Sequence, residues 1–308
     1  MKNTLILGIA IISLLFSCST DDTSDIYITD NSVTNNNNGG GTTDPETIFL
    51  SGTYTQDLIL DANNTYKVNG ALIMASGTTL EIPAGMTIQA LASGANVYIA
   101  ISQGAKIIAN GTADNPIVFT SDATSPSAGD WGGLILLGKA PINSVTGNST
   151  STSEIASLPF GGIDEADDSG IIRYVRVEYS GGAADGQSEN NGFSFYGVGN
   201  GTVIEYIQAF EGKDDGIEFF GGTVNASELL VWGQGDDGLD IDQAYAGTIS
   251  NSMVILNDAS DHALEIDGPE GSATGSFTLN NLTLVGTNNE CYATGVDGEI
   301  ADYRKGAT

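Results

Sequence analysis

The chain has 308 residues, and its 39 Asp and Glu residues against 9 Lys and Arg give a formal net charge of −30. This balance excludes nucleic acid and bare anionic lipid as expected partners, because binding to either requires Lys and Arg to neutralise phosphate. Charged residues make up only 16% of the chain whereas Gly alone contributes 41 residues, which favours one large, turn-rich and repetitive β domain.

Residues 1–18 resemble a bacterial lipoprotein signal peptide. Lys2 precedes an apolar run from Leu5 to Phe16 that is too short to span a bilayer, and the run ends in the lipobox-like sequence LFSC. We therefore expect Cys18 to carry the lipid; an ordinary cleaved secretory peptide is the alternative. Lipidation or removal of Cys18 leaves Cys291 alone, so no intrachain disulfide is expected.

Residues 19–46 are acidic and then rich in Asn and Gly, as in STDDTSD and TNNNNGGGTTDPE. Such a composition cannot bury an apolar face, which predicts a disordered tether. The acids directly behind Cys18 resemble the surface-export signal of lipoproteins in the Bacteroidota. We therefore expect an outer-membrane protein, held only by its lipid anchor and exposed at the cell surface.

From Thr47 onward, short alternating apolar runs are separated by Gly, Asn and Asp, and the runs repeat. GFSFY begins at Gly192, GIEFF at Gly216, GLDID at Gly238 and ALEID at Ala263, with first steps of 24 (192 to 216) and 22 (216 to 238) residues. A second set of strands repeats in the same frame: YVRV, YIQA, ELLV, SMVI and NLTL. This period predicts a parallel β-helix, whereas a β-sandwich or propeller would not place like residues at these intervals.

Four segments carry a family resemblance: GAKIIANGTADNPIVFTS, GDWGGLILLGKAPIN, GIIRYVRVEYSGG and DDGIEFFGGTVNASELLVW. Together they resemble right-handed parallel β-helix proteins of Bacteroidota with pectin-lyase-like architecture, over residues 47–308. The resemblance implies an all-β, single-stranded solenoid in the cell envelope, and it implies no particular reaction. The last residues, DGEIADYRKGAT, stop where another coil is expected, as in a C-terminally truncated solenoid.

Asp-Asp-Gly occurs twice, at residues 214–216 and 236–238, each time before an alternating strand. Coils of a β-helix lie about 4.8 Å apart, so equivalent residues form ladders along the axis. We predict one outward ladder of Glu218, Asp240 and Glu265, and another at the preceding turn, formed by Asp215, Asp237 and Asp261. Neighbouring carboxylates in such a ladder repel by about 3–4 kcal/mol at an effective dielectric constant near 20.

Three interpretations of these acids remain open. In the first, Asp provides turn chemistry and solvent screens the charge. In the second, Ca²⁺ lies between successive coils, because it prefers carboxylate and carbonyl oxygens; its ligands are Asp214, Asp215, Asp236, Asp237 and Asp240. The third is catalysis on a polysaccharide by Asp215, Asp237, Asp261 and His262.

The catalytic interpretation rests on polygalacturonases, which share the β-helix and use Asp residues of neighbouring coils near a His. Carboxylates one coil apart lie near the separation of about 5–5.5 Å found in retaining glycosidases. The Asn-Thr-Asp, Gly-His-Gly and Arg-x-Lys elements of that family are absent from this sequence. We therefore expect a non-catalytic binding or structural module, with a polysaccharide lyase or glycoside hydrolase as the alternative.

Further binding residues are expected on the acidic side of the solenoid, for a glycan or another envelope component. The candidates are Tyr196, Glu218, Phe220 and Asp242; the two rings either face outward for stacking against sugars or turn inward as core. Residues 140–169 leave the repeat and are long, polar and acidic. They are expected to form a loop over one face, either a binding loop or a plain surface loop.

Overall fold

The computed structural model describes residues 45–143, 149–183, 190–268, 271, 275–287 and 300–304. All of them belong to one compact unit, Asn36–Thr308. The predicted signal peptide with Cys18, the tether up to residue 44, and Cys291 lie outside the described residues. Within the described ranges, no helix has the length and apolar character that crossing a membrane requires.

The described residues form 22 β-strands. In chain order they are β1 (Thr47–Tyr54), β2 (Leu58–Ile59), β3 (Thr65–Met74), β4 (Thr79–Ile82), β5 (Thr87–Ala90), β6 (Tyr98–Ile101), β7 (Lys106–Asn110), β8 (Ile117–Ser121), β9 (Leu134–Leu137), β10 (Thr150–Thr152), β11 (Pro159–Gly161), β12 (Gly170–Glu178), β13 (Phe193–Tyr196), β14 (Val203–Phe210), β15 (Ile217–Phe220), β16 (Ala226–Ser227), β17 (Leu230–Trp232), β18 (Leu239–Asp242), β19 (Thr248–Ile255), β20 (Leu264–Ile266), β21 (Thr278–Val285) and β22 (Ala301–Tyr303).

Twenty of these strands stack in parallel as three faces, the architecture of a parallel β-helix. Face I contains β2, β4, β7, the first half of β12 and of β14, β16, and the first half of β19 and of β21. Face II contains the first half of β1 and of β3, then β5, β8, the second half of β12 and of β14, β17, and the second half of β19 and of β21. Face III contains the second half of β1 and of β3, then β6, β9, β13, β15, β18, β20 and β22. The predicted fold class is confirmed.

The interior is filled by the apolar residues of each alternating strand. Ile217 pairs in register with Leu239, and Phe219 with Ile241, and all four side chains are at most 1% exposed. The ring of Phe219 also packs between those of Phe195 and Tyr245, with centroids 5.3 and 4.8 Å away. Because each coil buries its apolar side chains only against the coils above and below, the sequence period and the fold determine each other.

The corner between faces I and II is a single residue in the left-handed conformation. Its successive occupants have φ between 48° and 58°: Tyr174, Tyr206, Glu228, Asn251 and Asn281. The predicted alignment of YVRV with SMVI was therefore wrong by one residue, since Asn251 and not Ser252 is equivalent to Tyr206. The register follows the backbone turn, which the apolar pattern alone does not mark.

Residues 140–169 differ from the polar loop predicted from their composition. β10 and β11 pair as an antiparallel hairpin, and the segment buries Ile142, Ile155 and Phe160 in a second apolar cluster with Tyr196 and Phe220. This cluster lies on the outer side of face III, because its strand residues alternate with those of the interior core. The insertion is thus a cover over face III.

Candidate functional site

The acidic residues lie along face III and at the turn that leads into it. Two columns precede the strands: the first contains Asn190, Asp214, Asp236 and Asp261, and the second contains Asn191, Asp215, Asp237 and His262. Backbone hydrogen bonds set this register. The N–H of Asp261 donates to the carbonyl of Asp236 at 3.0 Å, and Gly238, which follows Asp237, donates to the carbonyl of His262 at 2.8 Å.

The predicted turn ladder of Asp215, Asp237 and Asp261 is therefore corrected at its third member. Asp261 belongs to the first column, and His262 follows Asp237 in the second. The physical reason is that hydrogen bonding aligns Ala263 with Gly238, so the residue immediately before each of them must also align. His262 is 8% exposed and Asp237 only 2%, which makes this column a buried one.

Two Asp side chains at the turn accept hydrogen bonds from the backbone of the next coil, and not from the backbone of their own turn. Oδ1 of Asp215 accepts the backbone N–H of Asp237 at 2.9 Å. Oδ1 of Asp237 accepts the backbone N–H of His262 at 2.7 Å and lies 2.9 Å from Nδ1 of the same residue. Each Asp of the second column thus connects its own coil to the one that follows.

The predicted outward ladder has the expected register: Glu218 pairs with Asp240, and Asp240 with Glu265. It is not an open acidic surface, however, because Glu218 is 9% and Glu265 4% exposed. Burial, followed by the charge of neighbouring Asp240, raises the pKa of Glu218 well above its ordinary range. Burial likewise raises the pKa of Asp215 and of Asp240, with the charges of Asp240 and Glu265 respectively as the next cause.

Arg304 supplies positive charge to one end of this ladder only. Its guanidinium contacts Glu265 directly and lies 3.6 Å from Asp267 and 3.3 Å from Asp302. Within the described ranges no Lys or Arg lies within 4 Å of the carboxylates of Asp215, Glu218 or Asp240. Glu218 instead accepts a hydrogen bond from a neutral group, the side-chain amide of Asn191.

Asp215, Glu218 and Asp240 bring one carboxylate oxygen each to within 4.8 Å of the other two. Oδ1 of Asp240 is buried and has no hydrogen-bond partner. The other predicted metal ligands, Asp214, Asp236 and Asp237, form similar groups of three with their neighbours. Sequence reasoning assigned Glu218 to ligand contact and not to a metal, although its ladder position next to Asp240 was the signal that links them.

Of the residues predicted for catalysis, Asp237 and His262 lie together with Glu265, which was not predicted, whereas Asp215 and Asp261 belong to other groups. Asp237, His262 and Glu265 also place ligand atoms within 4.8 Å of one another. Burial raises the pKa of Asp237 to about 7 and that of Glu265 to about 9, and the two carboxyl groups share a hydrogen bond. Hydrogen-bonded carboxyl groups lie closer together than the carboxyl groups of glycosidases, which are about 5 Å or more apart.

Tyr196 and Phe220 face outward from the coil but are covered by the insertion. Their rings stack on each other with centroids 3.9 Å apart, and Phe160 of the insertion lies 4.8 Å from Tyr196. They are 2% and 4% exposed, so the predicted stacking against sugars is corrected: protein rings already occupy these faces. Asp242, the fourth predicted contact, accepts the backbone N–H of Gln243 at 2.5 Å.

A family model described as a pectate-lyase like beta helix domain matches residues 52–300. The chain belongs to this family. No curated protein matches this pectate-lyase-like β-helix protein, and no solved structure matches it either. The family accounts for the three stacked faces, and the acidic ladder must be interpreted from its own geometry.

Proposed function

We propose that this protein is a cell-surface, lipid-anchored binding module that holds Ca²⁺ in the outward ladder of face III and so meets a glycan or another envelope component. The observation that carries the proposal is the group of Asp215, Glu218 and Asp240, with the buried, unpaired Oδ1 of Asp240 among its oxygens.

The argument for calcium starts from the cost of burying three carboxyl groups without a cation. The charges that act most strongly on Asp215 and Glu218 are other carboxylates. Such a group must either keep its protons or bind a cation. Ca²⁺ is bound by carboxylate and carbonyl oxygens in flexible geometry, and extracellular modules bind it with dissociation constants of about 10⁻⁴–10⁻³ M. The environment expected for this chain suits that range.

Calorimetric titration of the compact unit Asn36–Thr308 with CaCl₂ tests the proposal. We expect saturable binding in the native protein and its loss in Asp240→Asn, which keeps the shape of the side chain but removes the charge. Asp114→Asn is the matched control, because Asp114 is exposed between β7 and β8. Binding that survives in Asp240→Asn, or no binding at all, would reject the calcium site.

The lipid anchor is tested separately. Cells expressing the full chain and fed a labelled fatty acid should incorporate the label into the native protein and not into Cys18→Ala. Proteinase treatment of intact cells should then degrade the protein if it is exposed at the surface. Equal labelling of both chains would show that Cys18 is not the lipidated residue.

A polysaccharide lyase or glycoside hydrolase is the second candidate, favoured by the pKa of about 7 at Asp237 beside His262. An acid in that range can exchange protons at neutral pH. Incubation with polygalacturonate and with neutral polysaccharides, followed by assays for new reducing ends and for unsaturated products, tests it. Activity that disappears in Asp237→Asn would replace the binding proposal with the enzymatic one.

A further inference from the structure

A shallow groove of about 370 Å³ lies on the outer side of face I, whereas the acidic ladder lies on face III. Its volume is near the lower end of the range of about 300–1,000 Å³ that is usual for small-ligand sites. The lining comes from β14, β16 and β19 and from the turns before them: Thr202, Val203, Ile204, Glu205, Asn225, Ala226, Ser227, Thr248 and Ser250.

The groove results from side-chain size along one outward row of face I. Glu205 pairs in register with Ser227, and Ser227 with Ser250. The row continues to Arg173 on one side and to Asn280 on the other. Two serines between long side chains lower the surface over two coils, and β16 is only two residues long there. Ile204 and Ala226, which immediately precede Glu205 and Ser227, point into the core.

The lining combines polar groups with the apolar residues Val203, Ile204 and Ala226, and it carries little net charge, unlike most of the molecule. Nε and Nη2 of Arg173 lie 2.9 and 2.8 Å from the same oxygen of Glu205, Oε2, so the two charges offset each other. Ser227, Thr248 and Ser250 add hydroxyl groups, and Oδ1 of Asn225 accepts the backbone N–H of Thr248 at 3.0 Å. Such a set can donate to and accept from several hydroxyl groups of one ligand.

Two tyrosine rings stand at the corner beside Glu205. Tyr174 and Tyr206 are stacked with centroids 4.5 Å apart and planes within 9°, and Tyr206 is 43% exposed. Both residues are left-handed, with φ of 48° and 54°. Bulky residues rarely adopt this conformation, which costs about 1–2 kcal/mol. At the three later coils the corner is Glu228, Asn251 and Asn281, so among these five described corners the two aromatic ones lie next to the Arg173 and Glu205 end of the row.

We propose that this groove binds one sugar unit of a neutral glycan, with the hydroxyl and carboxylate groups of the lining bonded to the sugar hydroxyls and Tyr206 against an apolar sugar face. Aromatic rings next to planar polar groups suit a ligand that has both hydroxyl-rich edges and C–H faces. The inference rests on the proposed function for its class of partner, a glycan, but on other residues and without calcium.

The test uses the compact unit Asn36–Thr308 and four neutral probes, the linear tetrasaccharides of glucose, xylose, mannose and galactose, with tetragalacturonate as the acidic counterpart. Binding is measured by calorimetry and by saturation-transfer NMR, in EDTA and in CaCl₂. Ser227→Met and Ser250→Met fill the groove from outward positions and should leave the fold intact, as thermal melts would verify. Glu81→Met, an exposed outward position of face I on β4, is the matched control.

We expect at least one neutral probe to bind in EDTA, with affinity reduced at least tenfold in Ser227→Met and Ser250→Met and unchanged in Glu81→Met and Asp114→Asn. No binding by any neutral probe, or equal binding by the filled variants, would overturn the groove. If tetragalacturonate alone binds, only with CaCl₂ and only when Asp240 is intact, the groove is rejected and the proposed function stands. If a neutral probe binds but calcium does not, the proposed function fails and the groove stands.

Discussion

Oδ1 of Asp237 receives two contacts from one residue of the next coil: the backbone N–H of His262 at 2.7 Å and its ring Nδ1 at 2.9 Å. The same carboxyl group shares a hydrogen bond with Glu265. Three ionisable side chains therefore connect two successive coils inside the protein. Burial raises the pKa of Asp237 and of Glu265, so the protonation of these two carboxyl groups must change the stability of the fold.

Stability in EDTA should fall as the pH rises from about 4 to 9. Burial raises the pKa of Asp237 to about 7 and that of Glu265 to about 9 in the folded protein, whereas both titrate near 4 when unfolded. The folded state therefore binds more protons across this interval, and the free energy of unfolding decreases with pH. Melting temperatures at pH 5 should exceed those at pH 8, and Asp237→Asn should flatten the slope below pH 7 while Asp114→Asn keeps it. A melting temperature that rises across this interval would contradict the prediction.

Asp240→Asn should have opposite effects with and without calcium. In EDTA the variant should melt at a higher temperature than the native protein, because an amide no longer adds to the repulsion that Asp240 exerts on Asp215 and Glu218. In CaCl₂ at about 100 times the dissociation constant, the native protein should gain about 2.7 kcal/mol and the variant nothing. Differential scanning calorimetry in both buffers measures the crossover. Parallel behaviour of the two proteins would show that Asp240 is not a ligand.

Phe160→Ala should destabilise the protein by about 3–5 kcal/mol, as expected for a buried aromatic residue. Phe160 is 1% exposed and lies against Tyr196, so its loss should loosen the insertion from face III. Ile163→Ala is the matched control in the same segment: Ile163 is 88% exposed, and the change should be within about 0.5 kcal/mol. Urea denaturation measures both. A small effect of Phe160→Ala would mean that the insertion does not cover face III in solution.

Gly170→Ala should be far more harmful than Gly77→Ala, although both glycines have positive φ, 109° and 86°. A Cβ atom at Gly170 would collide with the carbonyl of Ile107 on the neighbouring coil, whereas a Cβ atom at Gly77 would have no atom of the described residues within 4 Å apart from those of Gly77 and its two chain neighbours. We expect about 1 kcal/mol from backbone strain alone at Gly77 and about 3 kcal/mol at Gly170, where β7 and β12 must also separate. Thermal melts of the two variants check the spacing of the coils, and equal destabilisation would contradict the clash at Gly170.

The repeat period was enough to predict the fold and the Glu218, Asp240 and Glu265 ladder, because equivalent positions in successive coils must stack. The prediction of Asp261 in the turn ladder was wrong because it followed the identity of the residue, whereas the hydrogen bonds follow register and place His262 there. The register was already visible in the alignment of Ala263 with Gly238.

The cover over face III was not predictable from the sequence. Ile142 lies between Pro141 and Asn143, and Ile155 and Phe160 belong to the short run IASLPF, which does not match the repeat; they are buried only because the outward side of β13 and β15 offers rings to pack on. The same contact buries Tyr196 and Phe220. Local pattern determines which way a strand residue points, and a segment distant in the chain determines whether water reaches it.

The bonds from Asp215 to Asp237 and from Asp237 to His262 also have a mechanical consequence. Hydrogen bonds between parallel strands run along the long axis of a solenoid, so a pull along that axis loads one coil boundary at a time and opens the stack like a zipper. The two carboxylates add a bond across each of two consecutive boundaries, at residues that the strand ladders do not reach. The two coil boundaries that these bonds cross should therefore resist separation more than boundaries without such a bond. Force spectroscopy should record the segment from Asp215 to His262 as a separate late unfolding step.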